Sequence, residues 1–455
     1  MEKFDVIVIG FGKGGKIIAG TLASQGQKVA MIEKSATMYG GTCPNVGCVP
    51  TKFLVNKAEQ SKLMGFTSFE QKALFYKEAI LAKKELRKKI LGKMFNMLDG
   101  NPNVTLYTGT AKFISSSVVE VTGRDYKTEL TAGKIVIDTG STPFVPPIPG
   151  LKECDCAYLS EAMLDLEKLP EKLVIIGGGN IGMEFASMYS SFGSKVTVLQ
   201  DLTHFMPNED EDIAAAVKKS LDEKGITFVF GVKVQSVEKD GAGALINYSA
   251  DGREHRLEAD AILVSTGRVP NTASLDLQAA GIRTTERGAI AVNDRMRTSI
   301  PGIWAVGDVA GSPQFTYISQ DDARIVLSDF EGGDRSSKNR LVPYSVFLSP
   351  ALARVGLTEK GALSAGYKIK TATIPVTGIP RSHVLGKYTG LLKAVVDADT
   401  GKILGVSLFG EESHELINIV TLAMNAGLPY TALRDMIFTH PVMSEALNDL
   451  FAAVK

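Results

Sequence analysis

Two stretches of the chain pass from strand-like to helix-like patterning in the same order. In the first, an apolar run at residues 6–9 ends in a glycine cluster, apolar positions then recur at helical spacing, and a second apolar run ends at Glu33. The pattern returns at residues 172–201, with Gly177 standing 167 residues after Gly10. A strand, a glycine turn, a helix and a further strand make one βαβ unit, so the sequence predicts two doubly wound units.

The segments around these units set the predicted domain boundaries. Short alternating strands and a proline-rich connection at residues 142–150 separate the units, and from about residue 340 the pattern changes to strands followed by helices. We therefore predict an α/β protein with two Rossmann-like domains and a C-terminal α+β domain. The first domain comprises residues 1–150 and 271–339, the second 151–270 and the third 340–455.

Composition and charge exclude several kinds of protein. The 455 residues carry 50 Lys and Arg against 50 Asp and Glu, which disfavours binding to nucleic acid or to an anionic membrane. No apolar run approaches the roughly 18 residues of a membrane helix, and charged residues follow Met1 where a secretory signal would be apolar. We expect a cytoplasmic enzyme. A lysine-rich helix over residues 75–98, which contains Lys83, is interpreted as a solvated helix face.

The first glycine cluster has the spacing of a dinucleotide-binding turn. Gly10, Gly12 and Gly15 satisfy GxGxxG directly after a strand, and Glu33 ends the next strand. The first glycine permits a tight turn, the second admits a pyrophosphate and the third lets helix and strand pack closely, while an acidic residue can accept ribose hydroxyls. We predict dinucleotide binding here.

The second cluster repeats the spacing with Gly177, Gly179 and Gly182, but Gln200 stands where the acidic residue is expected. An enzyme that binds a 2′-phosphate would carry arginines just after this strand, yet residues 201–208 contain no Lys or Arg. The pattern favours NADH over NADPH and leaves both open.

The segment GGTCPNVGCVPTK holds two cysteines, Cys43 and Cys48, near a predicted helix start. A helix N-terminus lowers the pKa of a thiol, so this spacing favours a redox disulfide. Zinc is the alternative, but the five histidines are scattered along the sequence, and we predict no metal site. A second pair, Cys154 and Cys156, is interpreted as incidental thiols.

These motifs, followed by GIWAVGDVAG and a C-terminal FTHPVMSEALNDLF, occur in order over essentially the whole chain. In the last of them Pro441 is well placed at a helix start, and the helical spacing of Leu447, Leu450 and Phe451 predicts a terminal helix there. The chain resembles the class I pyridine nucleotide-disulfide oxidoreductases, the superfamily of glutathione reductase. That resemblance implies FAD in the first domain, NADH or NADPH in the second, and a homodimer formed through the third.

The same resemblance implies roles for individual residues. It implies that Asp308 binds the ribityl chain, that Lys52 pairs with Glu184 beside the flavin, and that His440 and Glu445 form an acid-base pair acting across the dimer interface. It also assigns cofactor contacts to Thr42, Lys52, Ala111, Gly140 and Gly267.

Further runs narrow the resemblance. IGFGKGGK, MYGGTCPNVGCVPTK, FTYISQDDARIV and SPALARVG are similar to a bacterial subgroup linked to reactive-chlorine resistance and hypothiocyanous acid reduction. Asn180 replaces the tyrosine that usually covers the nicotinamide pocket, and the chain ends in FAAVK without a terminal cysteine pair. The resemblance implies that Cys48 faces the flavin and Cys43 a small oxidant, with His440 supplying a proton. A dihydrolipoamide dehydrogenase or glutathione-type reductase, and a mercuric or copper reductase, are the alternatives.

Overall fold

The computed structural model describes all residues from 1 to 455. The predicted fold class is confirmed, with two doubly wound units and a C-terminal α+β part. The first part of the chain contains β1 (Glu2–Ile9), α1 (Lys13–Ser24), β2 (Val29–Glu33), α2 (Thr42–Val46), α3 (Cys48–Leu63), α4 (Phe69–Asp99), β3 (Val104–Thr108), β4 (Thr110–Phe113), β5 (Val118–Thr122), β6 (Lys127–Ile137) and β7 (Ser141–Pro143).

The middle of the chain builds the second unit. Its elements are β8 (Ala157–Leu159), α5 (Ser160–Met163), β9 (Lys172–Ile176), α6 (Asn180–Phe192), β10 (Lys195–Leu199), α7 (Glu211–Glu223), β11 (Thr227–Val229), β12 (Lys233–Asp240), β13 (Gly243–Ala250), β14 (Arg253–Ala259), β15 (Ala261–Val264) and β16 (Arg268–Pro270). The chain then returns to the first unit with β17 (Ile303–Ala305), a 3-10 turn (Gly307–Ala310) and α8 (Thr316–Phe330).

The C-terminal part is an antiparallel sheet with helices. It comprises β18 (Tyr344–Val346), β19 (Ala351–Gly356), α9 (Glu359–Ser364), β20 (Ile369–Pro375), α10 (Pro380–Leu385), β21 (Leu391–Asp397), β22 (Ile403–Gly410), α11 (Ser413–Asn425), α12 (Tyr430–Asp435) and α13 (Ala446–Ala452). Its strands lie in the order β18-β19-β22-β21-β20.

Both doubly wound units place parallel strands next to the glycine turns. The first sheet has the order β3-β2-β1-β6-β5-β4, and β17 pairs with β6. The second is β11-β10-β9-β15-β8, parallel throughout, with an antiparallel meander β12-β13-β14 beside it. Since β1 and β9 each lie inside their sheets, the two glycine turns leave the carboxyl ends of central strands, where open α/β sheets bind ligands.

One core joins the three parts. Leu54 of α3, Phe185 and Tyr189 of α6, and Leu352 and Phe409 of the C-terminal sheet belong to the same buried cluster. The helix that follows the cysteines is therefore packed between the two units instead of lying on the surface.

The lysine-rich helix differs from its sequence prediction. It begins at Phe69, six residues before the predicted start, because Ser68 and Gln71 form a capping box there. Lys83 was assigned to a solvated face, but this residue is buried and pairs with Asp165.

No helix of the chain is long and apolar enough to span a bilayer.

Candidate active site

The first glycine turn is shaped by a buried carboxylate. Gly10 has a φ of +107°, and a Cβ there would lie 2.2 Å from the Asp138 carbonyl oxygen. Asp138 Oδ2 accepts a hydrogen bond from the Gly15 N–H at 2.7 Å, and a Cβ on Gly12 would lie 2.5 Å from the same oxygen. Burial raises the pKa of Asp138 well above its usual range. The sequence identifies the three glycines. The structure adds the reason for two of them, because Asp138 leaves no room for a side chain at Gly10 or Gly12.

Two further acidic residues line the cavity beside this turn. Glu33 is buried at the end of β2, and its Oε2 accepts a hydrogen bond from the Phe11 N–H at 3.0 Å. Asp308 lies in the 3-10 turn after β17 and accepts a hydrogen bond from the Ser141 hydroxyl at 2.5 Å. Both line the central cavity, so each has a side chain within reach of a ligand lying across the turn.

Cys43 and Cys48 occupy two consecutive helix starts. Cys43 is the second residue of the short α2, and Cys48 is the first residue of α3, which runs for 16 residues. Both are free thiols, and a hydrogen bond links them. The hydrogen bond from Cys43 lowers the pKa of Cys48 to about 6, with further lowering from Thr316 and Lys52 against the opposing effect of burial. The bond and burial together raise the pKa of Cys43. Cys48 is therefore the more acidic thiol of the pair.

Thr316 is a contact that the sequence interpretation missed. It begins α8, and its Oγ1 lies 3.3 Å from Cys48 Sγ, although the two residues are 268 positions apart. It lies in the run FTYISQDDARIV, whose sequence indicates a family resemblance but no contact with the cysteines. A hydroxyl that donates to a sulfur stabilises the thiolate form.

Lys52 and Glu184 meet as a close ion pair. Lys52 Nζ lies 2.6 Å from Glu184 Oε2, and Glu184 Oε1 accepts a hydrogen bond from the Phe347 N–H at 3.0 Å. The ammonium also lies 4.6 Å from the centre of the Phe347 ring. Phe347, which the sequence interpretation also missed, holds both partners from the C-terminal part. Lys52 lies one helical turn after Cys48 in α3, so its positive charge lines the cavity near that thiol.

The second glycine turn repeats the first with a neutral side chain. Gly177 has a φ of +104°, and a Cβ there would lie 2.6 Å from the Ser265 carbonyl oxygen. Gln200 accepts a hydrogen bond from the Gly178 N–H, as Glu33 does from Phe11. No atom of the chain lies within 4 Å of a Cβ placed on Gly179, which leaves space above that backbone.

A continuous cavity of about 1660 Å³ connects both turns with the two cysteines. Single-ligand pockets measure roughly 300–1,000 Å³, so this cavity has room for two large ligands. The predicted cofactor residues that line it are Gly10, Gly12, Glu33, Thr42, Lys52, Ala111, Gly140, Gly177, Gly179, Gln200, Gly267 and Asp308.

Two predicted glycines do not line the cavity. A Cβ on Gly15 would lie 2.4 Å from the Gly10 carbonyl oxygen, and one on Gly182 would lie 2.1 Å from the Gly177 carbonyl oxygen. These third glycines allow each helix to approach the turn before it.

The residues present fit FAD in the first half of the cavity. The turn offers bare backbone at Gly10 and Gly12 for a pyrophosphate, and carboxylates at Glu33 and Asp308 for polyol hydroxyls. Cys48 and Lys52 also line the cavity, where a redox-active ring would lie beside them. The second half offers the same backbone at Gly177 and Gly179, with Asn180 at the start of α6. No three His, Cys, Asp or Glu side chains converge as metal ligands anywhere in the chain.

His440 and Glu445 are bonded to each other but lie outside this cavity. His440 Nδ1 is 2.8 Å from Glu445 Oε2, and the histidine side chain is 66% exposed. The expectation that Pro441 begins the last helix is wrong, because α13 starts at Ala446 and residues 441–445 form turns. The carboxylate orients the imidazole, and the Nε2 atom of His440 has no hydrogen-bond partner within this chain.

Comparisons with known proteins agree with this architecture. A family model described as pyridine nucleotide-disulphide oxidoreductase matches residues 4–323, and that family's dimerisation domain matches residues 342–451. The chain is 46% identical to the probable pyridine nucleotide-disulfide oxidoreductase RclA of Escherichia coli (strain K12), and the alignment covers 100% of both chains. It is 35% identical to a mercuric reductase of Lysinibacillus sphaericus, covering 98% of this chain and 82% of that protein.

A solved structure supports the same assignment. The Cu(II) complex of the HOCl-induced flavoprotein disulfide reductase RclA from Escherichia coli superposes with a TM-score of 0.94 at 45% identity, covering 100% of both chains. The chain therefore belongs to the pyridine nucleotide-disulphide oxidoreductases, as its glycine turns and paired cysteines predict.

Proposed function

We propose that this enzyme binds FAD and a reduced nicotinamide nucleotide and reduces a small thiol-reactive oxidant, hypothiocyanous acid, to thiocyanate in oxidative-stress defence. The observation that carries the proposal is the position of Cys43 and Cys48 at two consecutive helix starts, where both line the cavity together with Lys52. Cys48 has its pKa lowered to about 6 beside Lys52, while Cys43 keeps its proton. The likeness to a protein described as an HOCl-induced reductase supports an oxidant as the substrate.

Each thiol has its own task in this proposal. Bound FAD supplies the electron pair that restores the dithiol after each turnover. Both thiols line the cavity, and Thr316 and Lys52 lie beside Cys48. We assign Cys48 to the flavin and Cys43 to the substrate, as the family resemblance implies. Because burial and the Cys48 contact raise the pKa of Cys43, its proton has to be removed before it can act as a nucleophile.

His440 of the partner subunit is the group that we assign to this proton. Cys43 attacks the sulfur of hypothiocyanous acid, an S–S bond forms, and the S–O bond breaks. The imidazole passes the Cys43 proton to the departing hydroxide, which leaves as water. The Cys48 thiolate then attacks Cys43 and expels thiocyanate, so one oxidant is reduced by two electrons and one disulfide forms. Thiocyanate is a stable anion and needs no proton to leave.

A homodimer with composite active sites completes the proposal. The match to the dimerisation domain supports pairing of the C-terminal parts. In that part Ile437, close in sequence to the exposed His440, is 93% exposed, and Leu422 of α11 is 70% exposed. Such apolar residues mark a surface that another chain covers. The reactive dithiol is suited to a reducing compartment, and we place the enzyme in the cytoplasm.

NADH is the nucleotide that we propose for the second turn. Gln200 and Asp201 line the cavity where the ribose would lie, and the following residues, 202–208, contain no Lys or Arg. A 2′-phosphate would meet the Asp201 carboxylate without a cation to compensate for it.

The test is turnover by the purified yellow protein with NADH or NADPH and three oxidants side by side: hypothiocyanite, oxidised glutathione and lipoamide. We expect rapid turnover on hypothiocyanite only, lost in Cys43→Ser. Dominant activity on lipoamide or glutathione would overturn the oxidant proposal in favour of a general disulfide reductase. His440→Ala should slow adduct formation more than adduct breakdown in rapid-reaction traces.

A metal-ion reductase is the second candidate, favoured by the likeness to a mercuric reductase. It predicts that activity on mercuric or cupric ions depends on thiols beyond Cys43 and Cys48. A Cys154→Ser/Cys156→Ser variant that keeps full metal-ion turnover would count against it.

A further inference from the structure

A second pair of cysteines lies where the proline-rich connection enters the second sheet. Cys154 Sγ and Cys156 Sγ are 2.9 Å apart, about 0.9 Å more than a disulfide bond of about 2.05 Å. Neither residue lines the central cavity. The reaction proposed for Cys43 and Cys48 therefore leaves this contact without a function.

The backbone holds the two thiols on the same side of a turn. The Ala157 N–H donates to the Cys154 carbonyl oxygen at 3.1 Å, which closes a β-turn with Asp155 and Cys156 at its centre. The Cys156 carbonyl oxygen accepts a hydrogen bond from the Ile262 N–H at 2.8 Å, next to the β8–β15 pairing. The Asp155 side chain is 93% exposed and projects into solvent instead. Little backbone movement is needed to join the sulfurs.

The two thiols differ in access. Cys154 is partly exposed, whereas Cys156 is only 6% exposed and packs in an apolar cluster with Leu151 and Val174. Burial, with the Cys154 contact added, raises the pKa of Cys156 to about 12. An accessible thiol with a protected thiol in contact is the arrangement of an attacked and a resolving cysteine.

We propose that Cys154 and Cys156 form a second, oxidant-sensitive dithiol that closes to a disulfide when an oxidant HOX, with X chlorine or thiocyanate, attacks Cys154. The Cys154 sulfur forms a bond to X, and the released hydroxide takes the thiol proton and leaves as water. The Cys156 sulfur then displaces X⁻ from Cys154, and its own proton passes to solvent. Two thiols lose two electrons and HOX becomes X⁻ and water.

Ring closure has a protective consequence. A cysteine adduct that meets no second thiol proceeds with more oxidant to sulfinic and sulfonic acids, which cellular thiols do not reverse. Cys156 removes the adduct before that stage. The turn is already closed by its own hydrogen bond, so the disulfide leaves β8 and the following Ser160 and Glu161, which line the cavity, in place. The oxidised enzyme keeps its turnover.

Trypsin makes the test direct. Cleavage after Lys152 and Lys168 leaves both residues on one peptide, 153–168, which contains no other cysteine. The holoenzyme is treated with hypothiocyanite in a series that extends beyond the dose consumed by Cys43 and Cys48, blocked with iodoacetamide and digested. We expect this peptide to be two hydrogens lighter and unalkylated, and to recover both alkylation sites after dithiothreitol. The Cys43→Ser/Cys48→Ser variant should give the same peptide, which separates this inference from the proposed turnover.

Two single variants test the order of attack. In Cys156→Ser, Cys154 should retain the thiocyanate adduct or become a sulfinic acid. In Cys154→Ser, Cys156 should remain a thiol and be alkylated only after unfolding. The inference is overturned if both thiols survive a dose that fully oxidises Cys43 and Cys48, if the disulfide joins different chains, or if Cys156 alone reacts as fast as Cys154 alone.

Discussion

Cys43 and Cys48 lie at two helix starts beside a lysine, whereas Cys154 and Cys156 share a β-turn at the edge of a sheet. In the first pair a hydrogen bond, a threonine and an ammonium all act on Cys48, and its pKa falls to about 6. In the second pair burial dominates, and the pKa of Cys156 rises to about 12. Close approach of two sulfurs is common to both pairs, so the charges around them decide which pair carries a thiolate at neutral pH.

Removing Cys48 is the strongest way to break this contrast. Cys48→Ser takes away the thiolate that resolves the Cys43 adduct, so we expect turnover to fall by more than about a thousandfold. Steady-state oxidation of NADH in the presence of hypothiocyanite measures the loss. The matched control is Cys156→Ser, which should remain within about twofold of the wild type, since Cys156 lies outside the cavity. A large loss in the control would show that both pairs take part in turnover.

Lys52→Met should reduce the difference in thiol pKa between the Cys43–Cys48 pair and the Cys154–Cys156 pair. The change removes the cation beside Cys48, so the pKa of that thiol should rise. It also leaves Glu184, which is 7% exposed, without its partner, and we expect a loss of about 1–3 kcal/mol in the free energy of unfolding because Lys52 itself is partly exposed.

Chemical denaturation and ultraviolet thiolate absorption measure these two effects of Lys52→Met. The double variant Lys52→Met/Glu184→Gln should regain stability but only part of the low thiol pKa, because Glu184 opposes the effect of Lys52 on Cys48. A thiol pKa that is unchanged in Lys52→Met would contradict an electrostatic effect of Lys52 on Cys48.

The pH dependence of the reduced enzyme tests the difference in thiol pKa between the two cysteine pairs without any substitution. The pKa of Cys48 lies below the value of an unfolded thiol, about 8.5, so the folded state binds this proton less tightly than the unfolded state. The thiolate's contribution to stability is present above the unfolded value and is lost as pH falls through about 6. Thiolate absorption of the reduced enzyme should fall over the same range in Cys154→Ser/Cys156→Ser. Thiolate absorption that persists well below pH 6 would contradict the assignment of this pKa to Cys48.

Thr316→Val should give the smallest effect. It removes one hydroxyl contact to Cys48 at 3.3 Å, and a hydrogen bond worth about 1 kcal/mol corresponds to a rise of about 0.7 in the thiol pKa. The conservative Thr316→Ser keeps the hydroxyl and should leave the pKa unchanged. The measurement is the midpoint of the thiolate absorption titration, and equal midpoints for Val and Ser would remove Thr316 from the set of positioning residues.

The sequence predicted the features that depend on near neighbours. Glycine spacing, strand and helix order and the position of Cys48 at a helix start are all local, and they were sufficient for the fold class. Asp138 and Thr316 escaped prediction because they contact Gly15 and Cys48 across 123 and 268 positions. An acidic residue after the apolar run that ends at Ile137 was the available signal for Asp138.

The wrong expectations have a similar origin. Pro441 is a permitted first residue of a helix, but side-chain packing of Leu447, Leu450 and Phe451 fixes the helix only from Ala446 onward. Lys83 has the sequence context of a solvated residue, and Asp165, far along the chain, allows it to be buried. His440 and Glu445 are hydrogen-bonded and only five positions apart, so the pairing is local in sequence, whereas the role that we propose for it depends on a second chain.

The buried cluster that joins the three parts opposes movement of the two nucleotide-binding units relative to each other. Leu54, Phe185 and Phe409 come from three different parts of the chain and are all almost fully buried. A hinge between the two nucleotide-binding units would have to open this core to water, at a cost that burial of large apolar side chains makes steep. The two units therefore keep a fixed separation, and heat should melt them in one transition. We therefore expect electron transfer between the two proposed cofactor sites to need no domain movement.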